Sequence, residues 1–84
     1  MISIKDLINK IKWDKRENPE DYVLAYWDSM ADKLVEFPYK AIKEISKNFI
    51  TLEIDGEEKE IPIHRMKLVK KKGEVVWKRR ILID

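Results

Sequence analysis

The sequence predicts an α+β domain in which an N-terminal helix packs on a bent, mostly antiparallel sheet of five strands that curls toward a barrel. Three observations carry that expectation. Apolar residues recur at helical spacing near the N-terminus, β-prone runs fill the body from about residue 22 to 82, and two glycine-containing dipeptides mark hairpins between such runs. At 84 residues the chain suits a single domain over 1–84. Chains of this size hide only about 60 to 65% of their unfolded surface, so one modest core is expected.

Ser3 is placed to cap a helix, with Asp6 three residues later, and Ile4, Leu7, Ile8 and Ile11 then fall on one face. The helix should run over about residues 3–13, with Lys5, Asp6, Asn9, Lys10 and Lys12 on its wet side. Residues 14–21 are polar except for Pro19, which disfavours helix at Asn18, so this stretch reads as a loop. Tyr22 to Trp27 is rich in aromatic and branched residues and reads as a strand. Trp13 and Trp27 read most simply as core or helix-docking residues.

The chain then repeats itself. Tyr22-Val-Leu-Ala-Tyr-Trp-Asp28 is echoed by Phe49-Ile-Thr-Leu-Glu-Ile-Asp55, each a β-prone run ending in an Asp suited to a turn. Glu36-Phe-Pro-Tyr-Lys-Ala-Ile-Lys-Glu-Ile45 is echoed by Glu60-Ile-Pro-Ile-His-Arg-Met-Lys-Leu-Val69. Each unit reads as strand, turn, strand, with proline leading into the turn; a short helix with Pro38 at its first position is the alternative for residues 38–46. Asp55-Gly56 and Lys72-Gly73 are hairpin signals. In the last hairpin, strict alternation would put Val75 and Trp77 on one face, as core, and Val76 and Lys78 on the other.

Charge is unevenly distributed. From His64 to Asp84 eight Lys or Arg face two acids, a net +6, whereas the rest of the chain carries −4. The overall charge of +2 hides this asymmetry, which is the usual electrostatic sign of a polyanionic partner; a solvated Lys-rich hairpin is the plainer reading. The absence of cysteine removes disulfides, thiolate metal sites and thiol catalysis. No window approaches the ~20 apolar residues of a membrane span. The N-terminus also lacks the layout of a secretion signal, so a soluble cytoplasmic protein is expected. A 40% charged composition with abundant Lys and Glu and no Cys or Gln resembles that of proteins from hot environments.

Catalytic motifs are missing. His64 is the only histidine, and no carboxylate or hydroxyl stands at a recognisable spacing from it for a metal site or a nucleophile, so neither catalytic residues nor a cofactor are expected. Binding has better candidates. Arg65 offers a guanidinium fork that matches two phosphate oxygens, and His64 beside it can donate a further hydrogen bond. A turn whose polar side chains satisfy neighbouring groups is the equal alternative. Lys70, Lys71, Lys72, Lys78, Arg79 and Arg80 would attract a phosphate backbone, and lysines around a turn also oppose edge-to-edge strand pairing. Trp77 reads first as core and second as a base-stacking face, with Trp13 as a second stacking or structural aromatic.

Four segments together resemble a small archaeal family formerly catalogued as uncharacterised, the RNA cyclic-group end-recognition domain. They are Ile4-Lys-Asp-Leu-Ile-Asn-Lys-Ile-Lys-Trp-Asp14, the strand around Tyr22, Ile61-Pro-Ile-His-Arg-Met66 and Gly73-Glu-Val-Val-Trp-Lys-Arg79. The resemblance covers nearly the whole chain and implies a module that binds RNA ends carrying a 2′,3′-cyclic phosphate, in the company of RNA-processing enzymes. It implies functional positions at Trp13 and Asp14, at Pro62, His64 and Arg65, and at Trp77 and Arg79. Many relatives place an acid after that last Trp where this chain has Lys78, which puts in doubt an acid-dependent role there.

The first expectation is therefore a non-catalytic RNA-binding module. A protein-interaction subunit of an RNA-processing complex is the second. An RNA-end phosphodiesterase using His64 as general acid or base is the third, weakened by the lack of a paired base.

Overall fold

The structure is a computed structural model that describes residues 3–79. Helix α1 spans Ile4–Trp13, with the Ser3 hydroxyl accepting the Asp6 backbone N–H at 3.1 Å as the capping pattern requires. Seven strands follow: β1 Tyr22–Asp28, β2 Lys33–Pro38, β3 Ile42–Ile45, β4 Phe49–Ile54, β5 Glu57–Pro62, β6 Met66–Lys71 and β7 Glu74–Lys78. Three short 3-10 turns punctuate them, η1 Pro19–Asp21, η2 Tyr39–Ala41 and η3 Ile63–Arg65. The expected α+β architecture is present, one helix on antiparallel sheets. The strands form a four-stranded sheet, β2-β1-β6-β7, and a three-stranded sheet, β3-β4-β5, which do not close into a barrel.

The strand number rises from the expected five to seven because each proline turn separates two strands that belong to different sheets. Proline at the end of β2 and of β5 lacks the N–H needed to continue a ladder, and the 3-10 turn after it sends the chain to the other sheet. Residues 38–46 thus contain both readings offered by the sequence, a single helical turn and then a strand.

The echo in the sequence is an echo in hydrogen bonding. Hairpin β1–β2 pairs Leu24 with Phe37 and Val23 with Pro38, and hairpin β4–β5 pairs Ile50 with Ile61 and Phe49 with Pro62. The third strand of each unit joins the other unit's sheet neighbourhood in the same register: Met66 opposite Tyr26 and Leu68 opposite Ala25, against Ile42 opposite Leu52 and Glu44 opposite Thr51. Both pairings skip one residue, Lys67 in β6 and Lys43 in β3. Strand orders β2-β1-β6 and β5-β4-β3 are therefore copies. The pairing equates Val23 with Phe49, one residue away from the alignment the sequence alone suggested.

Both glycine hairpins form as expected. Asp55 and Gly56 have φ of 54° and 80°, and Lys72 and Gly73 have 52° and 84°, the doubly left-handed geometry that suits the twist of two-residue hairpins. At the β1–β2 hairpin the Asp28 carboxylate accepts the N–H groups of Met30 and Ala31, the turn role its position suggested.

One core joins the helix to both sheets. Ile4, Leu7, Ile8 and Ile11 of α1 pack with Leu24, Tyr26, Phe37, Ile50, Leu52, Ile61, Met66, Val69 and Trp77. Trp77, 6% exposed, is core. Val75 is not: it is 48% exposed because β7 carries a bulge, with Trp77 opposite Val69 but Val75 opposite Lys70, so Val76 is skipped and the alternation fails. Trp13 also departs from the expectation at 74% exposed, since it lies two residues and some 200° around the helix from Ile11. Its ring instead receives the Lys12 ammonium at 5.1 Å. Trp27 is half-buried on the outer face of its sheet, the face opposite Leu24 and Tyr26.

Among the described residues no helix is long and apolar enough to cross a membrane. Phe37, enclosed beside the Tyr26 ring at 6.0 Å, fills the place where β2 meets the core. Phe37→Ala should lower unfolding free energy by about 3–5 kcal/mol in chemical denaturation, the usual result of emptying a buried aromatic site. A loss below about 1 kcal/mol would mean that the core collapses into the space.

Candidate functional site

The sequence-predicted site residues divide into two groups at opposite ends of β6. One surrounds turn η3, and the other is the lysine turn after Val69. Strand β6 runs six residues from Met66 to Lys71, so its two ends are about 17 Å apart.

At the first end His64 and Arg65 occupy η3 itself, His64 exposed and Arg65 half-buried. Arg79 holds that turn from beneath. Its backbone N–H donates to the Lys67 carbonyl at 2.7 Å, its Nε to the Met66 carbonyl at 2.8 Å and one terminal nitrogen to the Ile63 carbonyl at 3.2 Å. A guanidinium bridging carbonyls on both sides of His64-Arg65 fixes the turn, and its face lies 5.4 Å from the Trp77 ring in the core. Arg79, read from the sequence as a phosphate contact, thus serves the shape of the turn that carries His64 and Arg65. The Arg65 guanidinium donates to the Ser29 hydroxyl at 2.9 Å, which ties η3 to the tip of the β1–β2 hairpin. One such bond engages one of its five N–H donors. Lys78 lies on β7 opposite Leu68, toward this same end. Arg80 lies outside the described residues.

The turn separates two clefts. One, of about 370 Å³, lies on the Arg65 side with Trp27, Met30 and Glu60 in its lining. The other, of about 380 Å³, lies on the His64 side between η3 and residues 47–49. Phe49, which the sequence reading assigned only to a strand, is 40% exposed there. Its one sequence signal was an aromatic next to Lys47 and Asn48 at the start of a predicted strand.

At the other end every lysine meets an acid. Lys70 pairs with Glu36 at 2.9 Å, Lys71 with Glu17 at 3.0 Å and Lys72 with Asp21 at 4.0 Å. The acids come from the oppositely charged part of the sequence, so charges segregated along the chain interleave in space. The local field is weaker there than the sequence count implies. The Glu17 carboxylate also accepts the Tyr22 hydroxyl at 2.6 Å. These two bonds, the hydroxyl first and the ammonium second, hold Glu17 below the usual carboxylate range. Burial and then Glu17 push Tyr22 up, and Glu17 raises Lys71.

Asp14, implicated by the resemblance, ends α1 and accepts the Arg16 backbone N–H at 2.9 Å and its guanidinium at 3.1 Å. That pairing holds its carboxyl down to about 2. The loop after Trp13 runs toward the lysine turn through Glu17 and Asp21, not toward η3. Among the described residues no three His, Asp or Glu side chains are grouped to hold a metal ion.

Comparison with known proteins adds a family. The model of the MJ1316 RNA cyclic group end recognition domain matches residues 1–79. A UPF0248 protein of Saccharolobus solfataricus is 33% identical over 81 residues, spanning 93% of this chain and 98% of the relative. A UPF0248 protein of Metallosphaera sedula is 36% identical over 78 residues, spanning 93% of this chain and 94% of its own length. No solved structure shows a significant match.

The Glu17 network has a pH signature. A depressed carboxyl stabilises the fold fully above the ordinary glutamate value, and that contribution is lost as pH falls through the folded value. The raised Lys71 contributes below the ordinary lysine value and is lost only as alkaline pH passes its folded value. Glu17→Gln should therefore lower Tm at pH 7, and its gap from the natural protein should narrow as pH falls below 4.5. Thermal melts of both proteins across pH 2 to 8 measure this; a gap independent of pH would assign the effect to packing.

Proposed function

Because this chain belongs to the family of the MJ1316 RNA cyclic group end recognition domain, we propose that it is a non-catalytic module that binds RNA ends carrying a 2′,3′-cyclic phosphate at turn η3. The observation that supports this reading is the pair of hydrogen bonds that the Arg79 guanidinium donates to the carbonyls of Ile63 and Met66, on either side of His64 and Arg65. A cyclic phosphate is a compact monoanion fused to a ribose. One or two well-aimed donors suit it better than a diffuse basic surface. Arg65 supplies a fork for the two non-bridging oxygens, and His64 supplies a further N–H.

Lys78 lies on the strand that leads to Arg79 and suits the upstream backbone. Lys70, Lys71 and Lys72 add attraction at a distance, reduced by their acidic partners. Trp77 takes a structural role here, since its ring is buried. RNA-processing enzymes are the partners this reading implies.

Short oligoribonucleotides of one sequence, ending in a cyclic phosphate or in a 3′-hydroxyl, test the reading by fluorescence anisotropy. The cyclic end should bind more tightly, with affinity falling as salt rises. Arg65→Ala should weaken cyclic-end binding about 10- to 100-fold, the scale of a charge-assisted hydrogen bond, and leave the hydroxyl end within about threefold. Equal loss for both ends would reduce Arg65 to a general phosphate contact. Conversion of the cyclic end to a linear phosphate, abolished by His64→Ala, would replace binding with catalysis.

A further inference from the structure

The duplicated fold provides two equivalent places beside its two proline turns, and the chain treats them differently. In the first unit, η1 lies against η2, and the Tyr39 hydroxyl donates to the Ile8 carbonyl of α1 at 3.0 Å. The N-terminal segment thus packs against one side of that turn, whose Pro38 and Lys40 stay exposed. In the second unit the corresponding place is the 380 Å³ cleft lined by Lys47, Asn48, Phe49, Pro62, Ile63 and His64. The residue paired with proline is Val23 in the first unit and Phe49 in the second. A β-branched side chain satisfies the fold at this position, yet the open copy carries an aromatic ring that is 40% exposed.

The ring stands on a fixed base. Ser46 Oγ accepts the Phe49 N–H at 3.1 Å, and the Ser46 N–H donates to the Phe49 carbonyl at 2.8 Å. The Ile63 N–H donates to the Asn48 carbonyl at 2.9 Å, which locks the loop carrying Phe49 to the turn carrying His64. The aromatic platform and the turn that carries His64 thus form one body, and little ordering remains to be done on binding.

Charge separates this cleft from the one on the other side of η3. The Arg65-side cleft includes Asp28 and Glu60 beside its cations, whereas the His64-side cleft is lined by Lys47 and His64 with no carboxylate among the described residues. A nucleotide, which brings an anion with its base, is favoured in the second.

Resting on the RNA-end reading, we infer that the Phe49 cleft is the subsite for the terminal nucleobase, stacked on the Phe49 ring while its cyclic phosphate sits at His64-Arg65. Stacking alone is tolerant of base identity, since every base has a π-face; Asn48, with an amide donor and acceptor, is the lining residue suited to discriminate a base edge. Lys47 completes the site as a cation beside the ribose-phosphate.

The test compares two ends and two proteins. One oligoribonucleotide ends in a normal nucleoside 2′,3′-cyclic phosphate, the other in an abasic ribose 2′,3′-cyclic phosphate, and each is titrated into the natural protein and Phe49→Leu. Leucine keeps an apolar side chain and removes the π-face, and Phe49→Tyr, which restores the face, serves as rescue. Removal of the base should weaken binding to the natural protein and to Phe49→Tyr about 5- to 100-fold, the range for stacking of one base on an aromatic ring. Phe49→Leu should lose threefold or less. An equal loss in all three proteins, or none in the natural one, overturns the base subsite while leaving cyclic-phosphate recognition intact. Failure of the natural protein to prefer the cyclic end over a hydroxyl end overturns the phosphate reading, and absence of any RNA binding overturns both.

Discussion

The pairing of β6 with β1 is the constraint on which the rest of the molecule depends. β6 is the third strand of the second unit, yet it is hydrogen-bonded between β1 of the first unit and β7. Its start fixes η3, its end fixes the lysine turn, and its inward residues Met66 and Val69 close the core over Leu24. The reciprocal pairing of β3 with β4 does the same for the second sheet. Neither unit completes its own sheet, so the two hairpins and α1 are bound into one cooperative body with a single core.

That interlock also decides the electrostatics. By bringing β6 alongside β1, it lays Lys70, Lys71 and Lys72 against Glu36, Glu17 and Asp21, acids distant in sequence. Such pairs on a partly wet surface contribute modestly to stability. Their larger effect is on where a polyanion is attracted, because the cations nearest η3 stand apart from this neutralised end. Charge counted along the chain exaggerated the lysine turn and passed over Lys47.

Much of the architecture was legible because short-range rules governed it. The cap at Ser3, the apolar spacing of α1, the two glycine hairpins and the proline-led turns all follow from local stereochemistry, and each is present. The exposures of Trp13 and Val75 were not legible from residue type. The first follows from an angle around the helix, the second from a bulge at Val76 that no alternation rule anticipates. For the candidate site, the His64-Arg65 turn stood out as chemistry in a repeated frame. Arg79's grip on backbone carbonyls and the exposure of Phe49 depend on which segments the β1–β6 pairing brings together, and composition carries no trace of that.

The paired units have a consequence for how such a fold can come to discriminate. A chain holding only one strand–strand–turn–strand unit would lack a neighbour for its third strand and would find it in a second copy, as an exchanged homodimer with two identical turns. Symmetry would then force both turns to be alike. Joining the copies in one polypeptide releases that requirement: one turn can anchor the leading helix, as Tyr39 does through the Ile8 carbonyl, while its twin is free to carry different side chains.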